Sequence, residues 1–316
     1  MDRLEHLLAA VVPALFALAY GILKTRMDWK NEALWAAFFL GGLGAIVAPI
    51  EMVITWGVVS LGFAPLLKAA ATATFVAAIP EETIKYFILV GAAEPHVDAR
   101  RRQDLVSLAI AVSLGFATVE NLFYVLAPAN WQVIAATRAL TAVPGHAADG
   151  LTMGALLTAA RVVPRRRSLL AVLALLVPIC MHAAYDFVPL ALEDGSTAPA
   201  IRPTLGMLWL LIMLLEIIVA VRVCNHVLPM GREADRRSGR DSGEGLPGAY
   251  VVIVGLVTLV AVVGLTILVA RSGGPAVLIG GVPICIIPFV LAIDLIRTGI
   301  REHRRDRVST SRFSDA

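Results

Sequence analysis

Residues 69–93 read AAATATFVAAIPEETIKYFILVGAA, an apolar run that carries three charges, Glu81, Glu82 and Lys85, in its second half. The run is long enough to cross a bilayer as a helix, for which about 20 residues suffice. Working outward, three further apolar segments share the feature. One holds Phe116-Ala117-Thr118-Val119-Glu120-Asn121, the next Arg138, His146 and Asp149, and the last His182-Ala183-Ala184-Tyr185-Asp186. Seven charged side chains facing lipid would cost about 17–25 kcal/mol, at roughly 2.5–3.5 kcal/mol each. They must therefore face one another, and the rest of the chain is read as the frame that holds them.

Composition agrees with that reading. The 316 residues are 58% hydrophobic and 16% charged, with a mean hydropathy of +0.80, whereas soluble domains carry about a quarter charged residues. The pattern predicts an all-α polytopic membrane protein. A net charge of +3 is no sign of nucleic-acid binding, because the basic residues sit in short clusters between apolar runs. Cys180, Cys224 and Cys285 lie in separate apolar segments without CxxC spacing, which supports neither a disulfide framework nor a zinc knuckle. The N-terminal apolar run continues to Leu23 behind a single fixed positive charge, Arg3, and is read as a retained first helix rather than a cleaved signal peptide.

About nine spans are expected, at 7–23, 33–55, 69–93, 105–127, 134–160, 169–191, 204–224, 249–270 and 276–296. Alternate connections then hold 21 of the 27 Lys and Arg residues, which places the N-terminus outside and the C-terminus in the cytoplasm. Residues 56–68 are the exception to simple spans and read as a re-entrant or interfacial piece. Residues 1–228 form the expected core, with the charged helices at 69–191. Residues 229–248, rich in Gly, Arg, Asp and Ser, read as a flexible linker, 249–297 as an appended hairpin, and 298–316 as a disordered tail.

Counted from the ends of their spans, Glu81, Glu120, His146 and His182 differ in depth by less than roughly 8 Å at 1.5 Å per residue. Four neighbouring helices can thus aim at one chamber. Glu81 and Glu82 lie four and three residues before Lys85, so either can pair with it, but they diverge by about 100° and only one is expected to point fully inward. Pro80 removes the donor for the Val76 carbonyl and is expected to kink the helix. Gly145, Gly150 and Gly154 are expected to admit a close neighbour. The parts suit hydrolysis: a carboxylate in a low-dielectric site can take a proton from water, and imidazoles can bind a metal or stabilise an oxyanion. Lys85 and Arg138 are read as neutralising partners of the glutamates, Asp149 and Asp186 as supports, and Glu51, Glu216 and Asp294 as structural charges.

The order EExxK, FxxxEN, a solitary His and HxxxD, each on its own helix, resembles the PrsW family of bacterial intramembrane proteases over roughly residues 69–190. It is similar, more distantly, to the CAAX prenyl protease and bacteriocin-processing group, which has EExxxR in place of EExxK. The resemblance implies a peptide-bond hydrolase in the bacterial plasma membrane, acting on membrane-anchored protein or peptide substrates such as anti-sigma factors. Glu81, Glu82, His146 and His182 stand on the matching catalytic positions. Two mechanisms remain open. In one, His146, His182 and Glu120 hold Zn²⁺ and a glutamate acts as base; in the other a glutamate activates water without metal, while the histidines and Asn121 stabilise the oxyanion. An ion- or proton-coupled transporter and a catalytically silent scaffold are the alternatives from other classes. No internal repeat supports the former, and an intact set of acids and histidines argues against the latter.

Overall fold

The computed structural model of the chain describes residues 2–93, 101–126, 130–193, 198–239, 247–259 and 286–304. Among these residues every regular element is helical. Five helical stretches are long and apolar enough to cross a membrane: Arg3–Thr25, Glu32–Ser60, Asp104–Leu126, Pro164–Glu193 and Arg202–Arg237. Two compact units are formed, one from Met1–Leu18 with Lys30–Asp241, the other from Ala19–Trp29 with Ser242–Ala316.

The elements are, in order, α1 (Asp2–Thr25), α2 (Glu32–Gly44), α3 (Ala48–Ser60), α4 (Pro65–Ala71), α5 (Ile79–Ile88), α6 (Asp104–Leu126), α7 (Trp131–Leu140), α8 (Ala142–Val162), α9 (Arg167–Glu193) and α10 (Arg202–Arg237). They are followed by α11 (Gly248–Leu259) and α12 (residues 286–304). Helices α2 and α3 run on through one 3-10 turn at Ala45–Val47. The stretch expected to be a re-entrant or interfacial piece is the end of α3, a turn in which Gly62 adopts φ +61°, and α4.

Helix α6 is the axis of the first unit. Every residue from Asp104 to Ala117 is buried, and the run Ser107, Ala109, Ala111, Ser113, Gly115 and Ala117 gives it a slim profile. Lipid is as apolar as leucine, so helices in a bilayer gain by close backbone approach rather than by hydrophobic burial. A Cβ on Gly115 would sit 1.8 Å from the Phe38 carbonyl oxygen, and one on Gly41 would sit 2.0 Å from that of Val112, so α2 and α6 cross backbone to backbone. Gly150 and Gly154 of α8 do the same against Ala109 and Val106 of α6. Gly145 has open space around it and serves the site instead. Helices α9 and α10 pack on the remaining sides of α8, and α9 also meets the chain before α5.

Two prolines break helices beside the charged residues. A proline ring clashes with the carbonyl four residues earlier and removes a donor. Ahead of Pro80 the helix widens to a π-helical turn, Thr72–Ala78, with the Ile79 N–H reaching the Thr74 carbonyl; widening of this kind takes the place of the expected simple kink. The fifth expected span, 134–160, is two helices rather than one. The break falls at Thr141, whose φ of −127° and ψ of −65° leave the helical region, next to the Leu140 carbonyl that the Pro144 ring would crowd.

The linker and tail expectations also change. Helix α10 continues through Pro229 to Arg237, because buried Asp235 accepts from the Arg102 backbone N–H at 2.7 Å and from its guanidinium at 2.6 Å. The remaining linker residues, 240–246, lie outside the described residues. In the second unit α12 stays helical beyond residue 298, to 304. Lys24, fully buried, bonds Asp294 and, at 2.9 Å, Thr298, while Arg26 pairs with Glu302 at 3.2 Å. Asp294, read as a structural charge, is the counter-ion of Lys24. Helices α11 and α12 meet at Gly248, Gly255 and Gly299. Residues 260–285 and 305–316, which include parts of the eighth and ninth expected spans, Cys285 and most of the tail, lie outside the described residues.

The crossing of α2 with α6 predicts a contrast between two glycines. Gly115→Val should lower the stability of the detergent-solubilised protein by about 1–3 kcal/mol or more, read as a fall in the thermal unfolding midpoint. Gly57→Ala, where nothing lies within 4 Å, should change it by no more than about 0.5 kcal/mol.

Candidate active site

The charged residues of α5, α6, α8 and α9 meet inside the first unit. Glu81, Glu82, His146 and His182 are all buried, and one ligating atom from each lies within 4.8 Å of the others. Both glutamates point inward, where only one was expected to. The reason is Lys85: one turn on, fully buried, it takes Glu82 Oε1 at 2.7 Å and Glu81 Oε2 at 3.3 Å, so two long side chains converge on one ammonium. The same ammonium lies 3.1 Å from His146 Nδ1 and 4.3 Å from the centroid of the Phe116 ring. The ring face adds cation–π attraction.

This geometry decides the His146 tautomer. An ammonium has donors and no acceptor, so Nδ1 accepts from Lys85 and the ring proton is on Nε2, which donates to Glu120 Oε2 at 2.9 Å. His182 is held differently. Its Nδ1 faces Glu82 Oε1 at 2.9 Å, and its Nε2 faces Asp186 Oδ2 at 3.3 Å and Glu81 Oε2 at 4.0 Å. The two imidazoles lie 5.3 Å apart, nearly perpendicular. Each is therefore backed by a carboxylate, the arrangement that orients a ring for ligation or proton transfer.

The histidines form part of the wall of a partly open cavity of about 20 Å³, enough to admit water. Arg138, Asp149, Tyr185, Asp186 and Glu216 complete much of the wall, with Ala142 and Gly145 at the start of α8. Without a Cβ, Gly145 leaves this space open. Glu82 stands one hydrogen bond behind His182, and Glu81 is held beside it by Lys85, so neither is on the wall.

Two residues given roles in the site have further partners in the structure. Glu120, read as a third metal ligand with the histidines, is outside the convergent group: Arg138 holds its carboxylate at 2.8 Å, and His146 takes the same oxygen. Asn121, read as an oxyanion donor, accepts from Arg138 Nε at 2.5 Å and so orients the guanidinium, which also lies 3.9 Å from the Tyr124 ring. Asp149, read as a support, lines the cavity. Glu216 of α10 was missed. A lone acid in an apolar span, with no basic residue within a helical turn, was the available signal, and it points into the cavity rather than to a structural pair.

The donor set fits a divalent cation. Two carboxylates and two imidazoles are standard zinc ligands, their atoms converge, and Glu82 Oε2 is buried with no hydrogen-bond partner among the described residues. In the structure Lys85 provides the positive charge for this group.

Residues 30–219 match the sequence profile described as PrsW family intramembrane metalloprotease. The chain is similar to the protein named Protease PrsW from Halalkalibacterium halodurans, with 35% identity over 182 residues, 57% of this chain and 81% of the relative. It is 33% identical to Protease PrsW of Bacillus subtilis over 191 residues, 59% of this chain and 83% of the relative. For Protease PrsW of Clostridioides difficile the identity is 26% over 193 residues, 59% and 79%. No solved structure matches the chain.

The clamp on Lys85 predicts strong coupling. Lys85→Met leaves two buried carboxylates without their cation and should cost about 3–5 kcal/mol of stability. Combining it with Glu82→Gln should recover part of that loss, with a coupling energy of about 1–3 kcal/mol in a double-mutant cycle of unfolding midpoints.

Proposed function

The chain belongs to the PrsW family of intramembrane metalloproteases, and on that footing we propose that it hydrolyses peptide bonds of membrane-anchored substrates at the cavity between α8, α9 and α10. The observation that carries the reading is the convergence of Glu81, Glu82, His146 and His182 beside a water-sized space in an otherwise apolar bundle. A peptide bond within a bilayer is short of water, so a protease there must hold its own.

The attacking water lies against His146 and His182. Glu82, whose Oε2 has no hydrogen-bond partner among the described residues, takes its proton and returns it to the amine nitrogen as the peptide bond breaks, while His182, facing carboxylates through both ring nitrogens, holds Glu82 in place. Glu81 and Lys85 keep the charge of this pair balanced. Arg138, aimed by Asn121 and neutralised by Glu120, faces the cavity and takes the oxyanion role first given to Asn121. Glu81, Glu82, His146 and His182 would hold a divalent ion such as Zn²⁺, which when bound supplies Lewis-acid polarisation of water and carbonyl.

The wider setting belongs to the same proposal. The division of basic residues between alternate connections supports nine spans with an external N-terminus and a cytoplasmic C-terminus in the bacterial plasma membrane. The family match, ending at residue 219, supports a protease core up to 228 and an added C-terminal hairpin. An anti-sigma-factor-like protein is the proposed substrate class, and outer-half depth of the site suits a first cut on the external side.

Purified protein should cleave a single-span reporter. Glu82→Gln and His182→Ala should each lower the rate by about 10²-fold or more, with folding checked by thermal midpoint. Equal processing by wild type and both variants would remove the protease assignment. Metal analysis of the same samples should find bound zinc in wild type and a loss of it in His182→Ala if the ion is resident.

A further inference from the structure

Most ionisable groups around the cavity have a partner in the protein. Glu120 is held by Arg138 and His146, Asp186 by His182, and Glu81 and Glu82 by Lys85. Asp149 and Glu216 differ. They come from α8 and α10, which pack on each other, and they are 4% and 7% exposed. Both line the cavity, neither forms a hydrogen bond or ion pair with another described residue, and Glu216 Oε1 is fully enclosed without a partner. Two buried carboxylates sharing a water-sized space repel one another and lack solvation. Arg138, a fixed cation on the wall, is already neutralised by Glu120.

We infer that Asp149 and Glu216 form a subsite for a cationic side chain of the substrate, a lysine presented next to the bond that is cut. The inference rests on the protease reading and adds a substrate class to it. An incoming ammonium supplies the counter-charge that the two carboxylates lack, through charge-assisted hydrogen bonds in a low-dielectric site. The aliphatic stem of lysine can lie along the apolar helices while its head reaches the two carboxylates. The subsite therefore ranks a cationic side chain such as lysine above an uncharged one of equal length.

Labelled single-span peptides, each with one lysine walked through the segment or with norleucine in its place, are titrated against the full-length protein in detergent micelles. In one register the lysine peptide should bind about tenfold tighter than its norleucine counterpart. Asp149→Asn with Glu216→Gln should bring the two within about twofold, and Glu216→Gln alone should reduce the ratio part of the way, which covers the case of a double variant that fails to fold. Absence of a lysine preference in every register, or a preference undiminished in Glu216→Gln, overturns the inference. Binding is scored without turnover, so protein that prefers lysine but cleaves nothing sinks the protease reading and leaves the subsite standing. Protein that cleaves with no such preference does the reverse.

Discussion

A single ammonium inside an apolar bundle organises this protein. Lys85 has no solvent to offset the cost of its charge, and in a low-dielectric interior an uncompensated ion is worth several kcal/mol of instability. Its needs are met by Glu82, Glu81, His146 Nδ1 and the face of Phe116, which come from three helices. That requirement draws α5, α6 and α8 to one point. It also dictates the state of the chemistry-bearing groups: the His146 proton is forced to Nε2 and onto Glu120, and Glu82 is left with one oxygen for His182 and another unpartnered.

The backbone makes this meeting feasible. Glycines and alanines at the crossings of α6 with α2 and α8 let main chains touch, so the axes come close enough for side chains of ordinary reach to span the gap. Prolines act at the opposite scale. Pro80 and Pro144 each disturb the helix about one turn before themselves, at the two places where a charged residue must leave the lipid-facing cylinder and turn inward. The cavity opens at the second of these breaks, beside Ala142 and Gly145. The C-terminal unit follows the same electrostatic rule as the site. Lys24, buried as completely as Lys85, is matched by Asp294 and Thr298, and that pairing gives α12 its position against the end of α1.

The four charged motifs at matched depth, the EExxK and HxxxD spacings and the family resemblance were all legible along the chain, because each is a statement about charge in lipid or about helical periodicity. The prolines were legible too, but the form of their effect was not. A π-turn and a full break are both solutions to the same steric clash, and the neighbouring helices choose between them. The extension of α10 to Arg237 was hidden for a related reason: residues 229–237 look unfolded by composition, and only the Arg102 backbone across the bundle makes a buried Asp235 stable.

By itself the sequence determined that this chain spans a membrane in helices and that its acids, histidines and cations must find each other, since the penalty for facing lipid follows from residue type and position alone. Which of them would meet was decided only by tertiary structure. Two glutamates share one lysine instead of competing for the centre, Glu120 and Asn121 serve Arg138, and Glu216 reaches the cavity from a helix that carried no motif. Pairing between helices depends on rotation, depth and side-chain reach to within about an ångström, the tolerance of a hydrogen bond, and no periodicity in one strand of text carries that precision.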